Sequence, residues 1–116
     1  MKPLYWIGSS KRDLQALPEQ VVDVFGYALF LAQTGEKHTQ AKPLRGFGSA
    51  GVLEVCEDFA GNAYRAVYIT EIANCVFVLH VFQKKSKTGI ATPKPDMQLI
   101  EKRMRTAKQV AKDIKP

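Results

Sequence analysis

The basic side chains in the second half of the sequence are of types that handle phosphate groups. Arg65, His80 and Lys84 stand in stretches rich in strand-forming residues. Arginine and lysine stabilise the negative charge that a phosphate gains in a transition state, and histidine or lysine can move a proton. We therefore expect these three residues to contact a nucleic-acid backbone. They are the candidate catalytic residues if the protein is an enzyme, although a single histidine in a strand is more often structural than catalytic.

Further cations and one aromatic ring fall where they could bind RNA beside that site. Lys85 and Lys87 directly follow Lys84, and a long polar loop carries Lys42 and Arg45. Phe82 offers a ring close to these cations, a combination that suits single-stranded nucleic acid, because bases stack on aromatic side chains. The predicted RNA-binding residues are Lys42, Arg45, Phe82, Lys85 and Lys87. The alternative is a basic strand end that is simply solvated.

No metal or cofactor is expected. Cys56 and Cys75 are too far apart in the sequence for a C-x-x-C pair, and no His/Cys cluster has metal-ligand spacing. The glycine-rich segment "GFGSAG" neither follows a predicted strand nor opens a helix, as a phosphate-binding loop would. A nucleophile elbow and a paired-carboxylate site are also missing from the sequence.

Length and composition favour one domain over residues 1–116. The hydrophobic fraction is 46%, enough for a core, and no apolar run is long enough to cross a bilayer. The first residues lack the apolar stretch of a signal peptide, so we expect a soluble, cytoplasmic protein without membrane contact. The net charge is +6, and residues 61–116 hold eleven Lys/Arg against four Asp/Glu. This asymmetry suggests an anionic partner.

Hydrophobic periodicity predicts an α+β fold. A short strand over "PLYWI" precedes a helical pair, "KRDLQAL" and the stronger "PEQVVDVFGYALFLAQTG". The strands "VLEVCED", "YRAVYIT" and "CVFVLHVFQKK" follow as a meander, and a last helix runs from about Asp96 to Ile114. We predict a small antiparallel sheet of about four strands, with the helices against one face.

Strand alternation places the candidate site on the sheet. His80, Phe82 and Lys84 should share an open face that forms the floor of a groove, while Leu79 and Val81 face the helices. If the hairpin loop is Glu71–Asn74, Arg65 lies opposite His80 on that face. A loop one residue shorter would turn Arg65 to the other face. The first register keeps a guanidinium from being buried under helices, so we expect it.

Several segments resemble the RelE/ParE toxin superfamily, in particular its phage-derived, HigB-like branch. These segments are "KPLRGFGSAGVLEV", "YRAVYI", "VFVLHVFQKKSKTG" and "TPKPDMQLIEKRMRTA", within roughly residues 10 to 108. The resemblance implies a RelE-like fold and a ribosome-dependent mRNA endonuclease, or mRNA interferase, that a small helix-turn-helix antitoxin holds inactive. Its partners would be that antitoxin, the ribosome and mRNA.

The resemblance also implies residue roles. In RelE-type members the 2′-hydroxyl of the substrate attacks the adjacent phosphate and no metal is needed. Arg65 matches the strand arginine of the family, and Lys84, Lys85 and Lys87 match its basic run. The first meander strand departs from the pattern, because it carries Glu54 and other acidic residues where RelE has lysines. A ParE-like gyrase inhibitor and a non-enzymatic phage nucleic-acid-binding protein therefore remain alternatives.

Overall fold

A computed structural model describes residues 1–48, 51–84 and 92–114. None of its helices is long and apolar enough to span a membrane, within the described part of the chain. The elements are, in chain order, β1 (Leu4–Trp6), α1 (Ser10–Gln15), α2 (Glu19–Gln33), β2 (Ala41–Pro43), β3 (Val52–Phe59), β4 (Asn62–Ile72), β5 (Cys75–Lys84) and α3 (Lys94–Asp113). The predicted α+β class is confirmed.

The described strands form one five-stranded sheet in the order β1-β5-β4-β3-β2. Strands β2 to β5 pair antiparallel, as the meander predicted, whereas β1 runs parallel to β5. The additional strand, β2, comes from the segment that the sequence analysis assigned to a loop. Three residues pairing with Leu53–Val55 are too short a run for periodicity to detect.

Helix α2 shows how local sequence sets an element. Its buried residues recur at helical spacing and form one apolar side. Thr34 caps the end, and Gly35 follows with φ +88°. The N–H of Glu36 then donates to the carbonyl of Leu31 at 2.8 Å, which closes a Schellman motif. The buried residues of α2 are Val21, Phe25, Ala28, Leu29 and Ala32.

Helices cover both faces of the sheet, so the expectation of helices on one face was wrong. One core joins Phe25 of α2 to Ala66 and Tyr68 of β4. The other joins Ile100 of α3 to Val67 and other residues of the opposite face. Burial on both sides explains why β5 reads as a nearly continuous apolar run rather than an alternating one.

A β-bulge in β5 shifts the faces that simple alternation predicts. Val67 pairs with His80 but Tyr68 pairs with Val78, so Leu79 is an extra residue in the ladder. Leu79 consequently belongs to the α3-side core, the same core as Phe82. The alternation that placed Leu79 on the face opposite Phe82 was therefore wrong.

Arg103 of α3 ties the helices to this bulge. Its guanidinium donates to the carbonyl oxygen of Leu79 at 3.0 Å and to the hydroxyl of Ser9 at 3.1 Å. Arg103 is half-buried, and its contacts join α3 to β5 and to the residue that precedes α1.

We expect Arg103→Met to lower the free energy of unfolding by about 1–3 kcal/mol, because the Leu79 carbonyl loses its charged donor while the aliphatic stem is kept. Urea unfolding measures this. The matched control is Lys102→Met, one residue away and exposed, which should change stability by less than about 0.5 kcal/mol. Equal midpoints for the two variants would show that the contact stabilises nothing.

Candidate functional site

One end of the α3-covered sheet face gathers most of the described candidate cations. Lys42 pairs with Glu54, and Arg65 pairs with Cys56 on the neighbouring strands. Lys84 lies on β5, two cross-strand pairs beyond Phe82 and Arg65. Pleating puts these residues on the same face. The fold thus brings Lys42, Arg65 and Lys84 together from three strands that are distant in sequence.

The predicted register was half right. Arg65 lies opposite Phe82 rather than opposite His80, although it does share the face of His80 and Phe82. The hairpin loop contains only Ala73 and Asn74, both with positive φ, as in a type I′ turn. The β4–β5 ladder is irregular between Val67 and Tyr68 and between Ile69 and Ile72. These irregularities account for the difference between the predicted and the observed pairing.

Arg65 is buried, in contrast to the prediction of an exposed groove residue. Only 7% of it is exposed, and its Nη1 lies 2.6 Å from Oε1 of Glu54. The same nitrogen is 3.4 Å from the Thr92 hydroxyl, at the segment leading into α3. The helix-side ion pair that the preferred register was meant to avoid is therefore present, and the acidic residue on β3 is its partner.

Lys84 is also buried, with 7% exposure, so the expected solvent-facing position was wrong. Burial lowers the pKa of its ammonium group, and the positive charge of Arg65 lowers it further. Glu54 and Cys56 act in the opposite direction. A lysine whose pKa is shifted toward neutrality can accept and return a proton more readily than an ordinary surface lysine.

His80 holds the start of α3 instead of lying open in a groove. It is 7% exposed, and its Nε2 lies 2.8 Å from Oδ1 of Asp96 in the first turn of the helix. Because a carboxylate can only accept, Nε2 carries the proton, and Nδ1 has no partner among the described residues. The ring stacks on Phe82 at 4.4 Å.

Phe82 is therefore a packed residue of the α3-side core, 9% exposed, and not an open platform for a base as predicted. Tyr68 is fully buried on the α2 side and is not exposed to a base either. These positions favour a positioning role for His80 and Phe82, and their predicted functional roles stay predictions.

The burial of His80 predicts a loss of stability in mild acid. Burial lowers the pKa of its imidazole from the usual 6.5, despite the opposing contribution of Asp96. As the pH falls through about 6.5, the unfolded chain takes up a proton that the folded chain still refuses, so the free energy of unfolding decreases.

His80→Phe keeps a ring against Phe82 and removes this titration. We expect the variant to lose less stability than the unmodified chain between about pH 7 and pH 5. Urea unfolding at a series of pH values measures the two slopes. Identical slopes would contradict the assignment, whatever the absolute stability of the variant.

A pocket of about 210 Å³ opens beside the cation cluster, where β2, β3 and the start of α3 meet. Lys42 and Arg45 line the pocket and are exposed at its rim. Exposure is expected for residues that contact a ligand. Both Glu54 and Thr92 line it next to the Arg65 side chain. The lining residues are Lys42, Pro43, Leu44, Arg45, Glu54, Thr92 and Met97.

A family model described as phage-derived protein Gp49-like (DUF891) matches residues 12–105. The chain belongs to this family. The family is associated with RelE-like toxins, and membership is compatible with a toxin of a toxin–antitoxin system. Comparisons with curated proteins and with solved structures gave no significant match.

Several residues that contact the predicted site residues or line the pocket of this Gp49-like chain were not predicted from the sequence. Glu54 was noted only as a departure from the RelE pattern, and Thr92, Asp96 and Met97 were not singled out. A carboxylate on the strand next to Arg65 was the available signal. Lys85 and Lys87, predicted to bind RNA, lie outside the described residues, so their roles stay predictions.

Cys56 is a structural neighbour of the site. Burial raises the pKa of its thiol, and the carboxylate of Glu54 raises it further. The thiol therefore remains protonated and donates to Oε1 of Glu54 at 3.3 Å. Within residues 1–48, 51–84 and 92–114, no group of three or more His, Cys, Asp or Glu side chains is placed to hold a metal ion.

Proposed function

We propose that this Gp49-like protein is the toxin of a type II toxin–antitoxin system and cuts mRNA on the ribosome. The observation that carries the proposal is the cluster of Lys42, Arg65 and Lys84 on one sheet face, beside a pocket that Lys42 and Arg45 line. Cations fixed by strands can hold a phosphodiester and stabilise the charge of its transition state.

RNA supplies its own nucleophile for the proposed cleavage. The 2′-oxygen attacks the adjacent phosphorus as its proton leaves, and the bond from phosphorus to the 5′-oxygen breaks as that oxygen takes up a proton. Lys84, with its lowered pKa, is our candidate for moving these protons. Lys42 and Arg45 hold the phosphate from the rim.

Arg65 and His80 support that chemistry indirectly, by fixing the elements around the pocket. Arg65 adds positive charge under the pocket and, through Glu54 and Thr92, links β3 to the segment that begins α3. His80 fixes the first turn of α3 through Asp96. The positive end of the dipole of this 20-residue helix lies at the same edge and favours an anion.

Controlled expression of the chain without any partner gene tests the proposed function. We expect growth arrest, together with new 5′ ends in transcripts at positions linked to codons. Intact mRNA with a defect in DNA supercoiling would instead establish a gyrase inhibitor. Unimpaired growth at verified protein levels would favour a nucleic-acid-binding protein without toxin activity.

We also propose an antitoxin partner with a helix-turn-helix, encoded by a neighbouring gene. The support is the excess of positive charge in residues 61–116, which includes the exposed α3 cations Lys102, Arg105, Lys108 and Lys112. A toxin with this surface needs a partly acidic partner to keep it from RNA. Co-purification at moderate salt tests the pair, and a neighbour that never associates would contradict it.

A further inference from the structure

The pocket beside the cations is too small for a whole nucleotide and suits one planar ring. Its volume is about 210 Å³, below the roughly 300–1,000 Å³ of pockets that hold drug-sized ligands. Leu44 and Met97 give it apolar walls that can contact the faces of a ring, and the methionine sulfur suits an aromatic neighbour. The charged residues of the described lining are Lys42, Arg45 and Glu54.

Glu54 supplies a hydrogen-bond acceptor in that lining. It is 4% exposed, yet it borders the pocket. Both hydrogen bonds to its carboxylate, from Arg65 and from the Cys56 thiol, end on Oε1. Each carboxylate oxygen has two lone pairs, so the group can accept more than these two hydrogen bonds. A ligand that brings donors into the pocket would therefore find an acceptor in Glu54.

The four RNA bases differ in the donors that they can present to a carboxylate. Single-stranded RNA exposes the Watson–Crick edge, which a protein can read directly. Guanine has two donors side by side there, N1–H and the 2-amino group. Adenine and cytosine each place one amino donor beside an acceptor, and uracil has one donor between two acceptors. A carboxylate therefore favours guanine.

We propose that the pocket bounded by Glu54, Leu44 and Met97 binds a guanine base of the RNA that the protein cuts. This inference rests on the proposed function for the identity of the polymer. Glu54 accepts from N1–H and the 2-amino group, while the apolar walls hold the ring. Lys42 and Arg45 at the rim contact the phosphate joined to that nucleotide, which brings the backbone to the cation cluster.

Titration of the isotope-labelled full chain with GMP, AMP, CMP, UMP and IMP, followed by NMR, tests the base preference without any cleavage. We expect GMP to bind roughly tenfold or more tightly than AMP, since a good two-point contact discriminates by at least that order. IMP lacks the 2-amino group and should bind less tightly than GMP. Equal affinities for the five nucleotides would overturn the inference.

Glu54→Gln replaces the acceptor with a group that also donates and should abolish the preference for GMP over AMP. Glu101→Gln is the matched control, since Glu101 is exposed on α3, and it should leave the preference unchanged. Circular dichroism verifies folding. If Glu54→Gln does not fold, GMP is compared with N1-methyl-GMP on the unmodified chain, and equal binding of those two overturns the inference.

The outcome separates this inference from the proposed function. GMP-selective binding by a chain that neither arrests growth nor cuts mRNA would contradict the toxin activity and leave the pocket assignment standing. Cleavage of mRNA by a chain that binds all nucleotides alike would support the toxin activity and contradict the pocket assignment.

Discussion

Replacing Arg65 with methionine is expected to destabilise the fold by about 3–5 kcal/mol, the cost of leaving one member of a buried ion pair without its partner. The two side chains of the Arg65–Glu54 pair are 8% and 6% exposed, and their charged atoms are 2.6 Å apart. In Arg65→Met the Glu54 carboxylate stays buried and loses its ion-pair partner. Urea unfolding monitored by circular dichroism measures the change.

Two comparisons isolate the ion pair. The double variant Arg65→Met with Glu54→Met removes both charges and should recover most of the loss, because well-packed apolar residues can replace a buried pair. Arg105→Met breaks an exposed pair with Glu101, at 3.4 Å, and should cost no more than about 0.5 kcal/mol. An Arg65→Met chain as stable as Arg105→Met would show that the buried pair contributes little.

Lys84→Met should reduce the proposed mRNA cleavage about a hundredfold while the protein stays folded. The variant loses the positive charge and the proton-moving group, and one such interaction is worth about 3 kcal/mol in the transition state. Methionine is also long and unbranched, and it removes an ammonium whose charged form burial disfavours. The free energy of unfolding should change by less than about 1.5 kcal/mol.

The measurements are growth after induction, cleavage of a reporter transcript and thermal unfolding, all on the same variant. Lys108→Met, at an exposed position of α3, is the control and should remain toxic. A Lys84→Met chain that cuts at the normal rate would remove Lys84 from the catalytic assignment.

Much of the fold was predictable because the long elements carry strong local patterns. The helix predicted from about Asp96 to Ile114 corresponds to α3, and its residues Ile100, Met104 and Ala107 pack in the core on that side of the sheet. The features that were not predicted depend on pairing between segments that are distant in the sequence. β2 exists through its hydrogen bonds to β3, and the bulge at Leu79 is a single-residue event that alternation cannot reveal.

The sequence predicted that several cations would share one sheet face, but not the environment of their side chains. Lys42, Arg65 and Lys84 do come together on one sheet face. Their burial was missed, since an open face was assumed for a strand that carries charged residues. The arginine can be buried because Glu54 on the adjacent strand neutralises it, and that partnership depends on strand register rather than on either residue alone.

The parallel pairing of β1 with β5 has a consequence for how the chain folds during synthesis. Leu4 pairs with Val76, so β1 is made well before the strand with which it pairs. Contacts of such long sequence separation form slowly, whereas the two tight hairpins of β3, β4 and β5 close locally. The core of α2 also needs Val76 and Val78 from β5. We therefore expect the meander to form first, with the apolar side of α2 exposed to solvent and chaperones until β5 emerges from the ribosome.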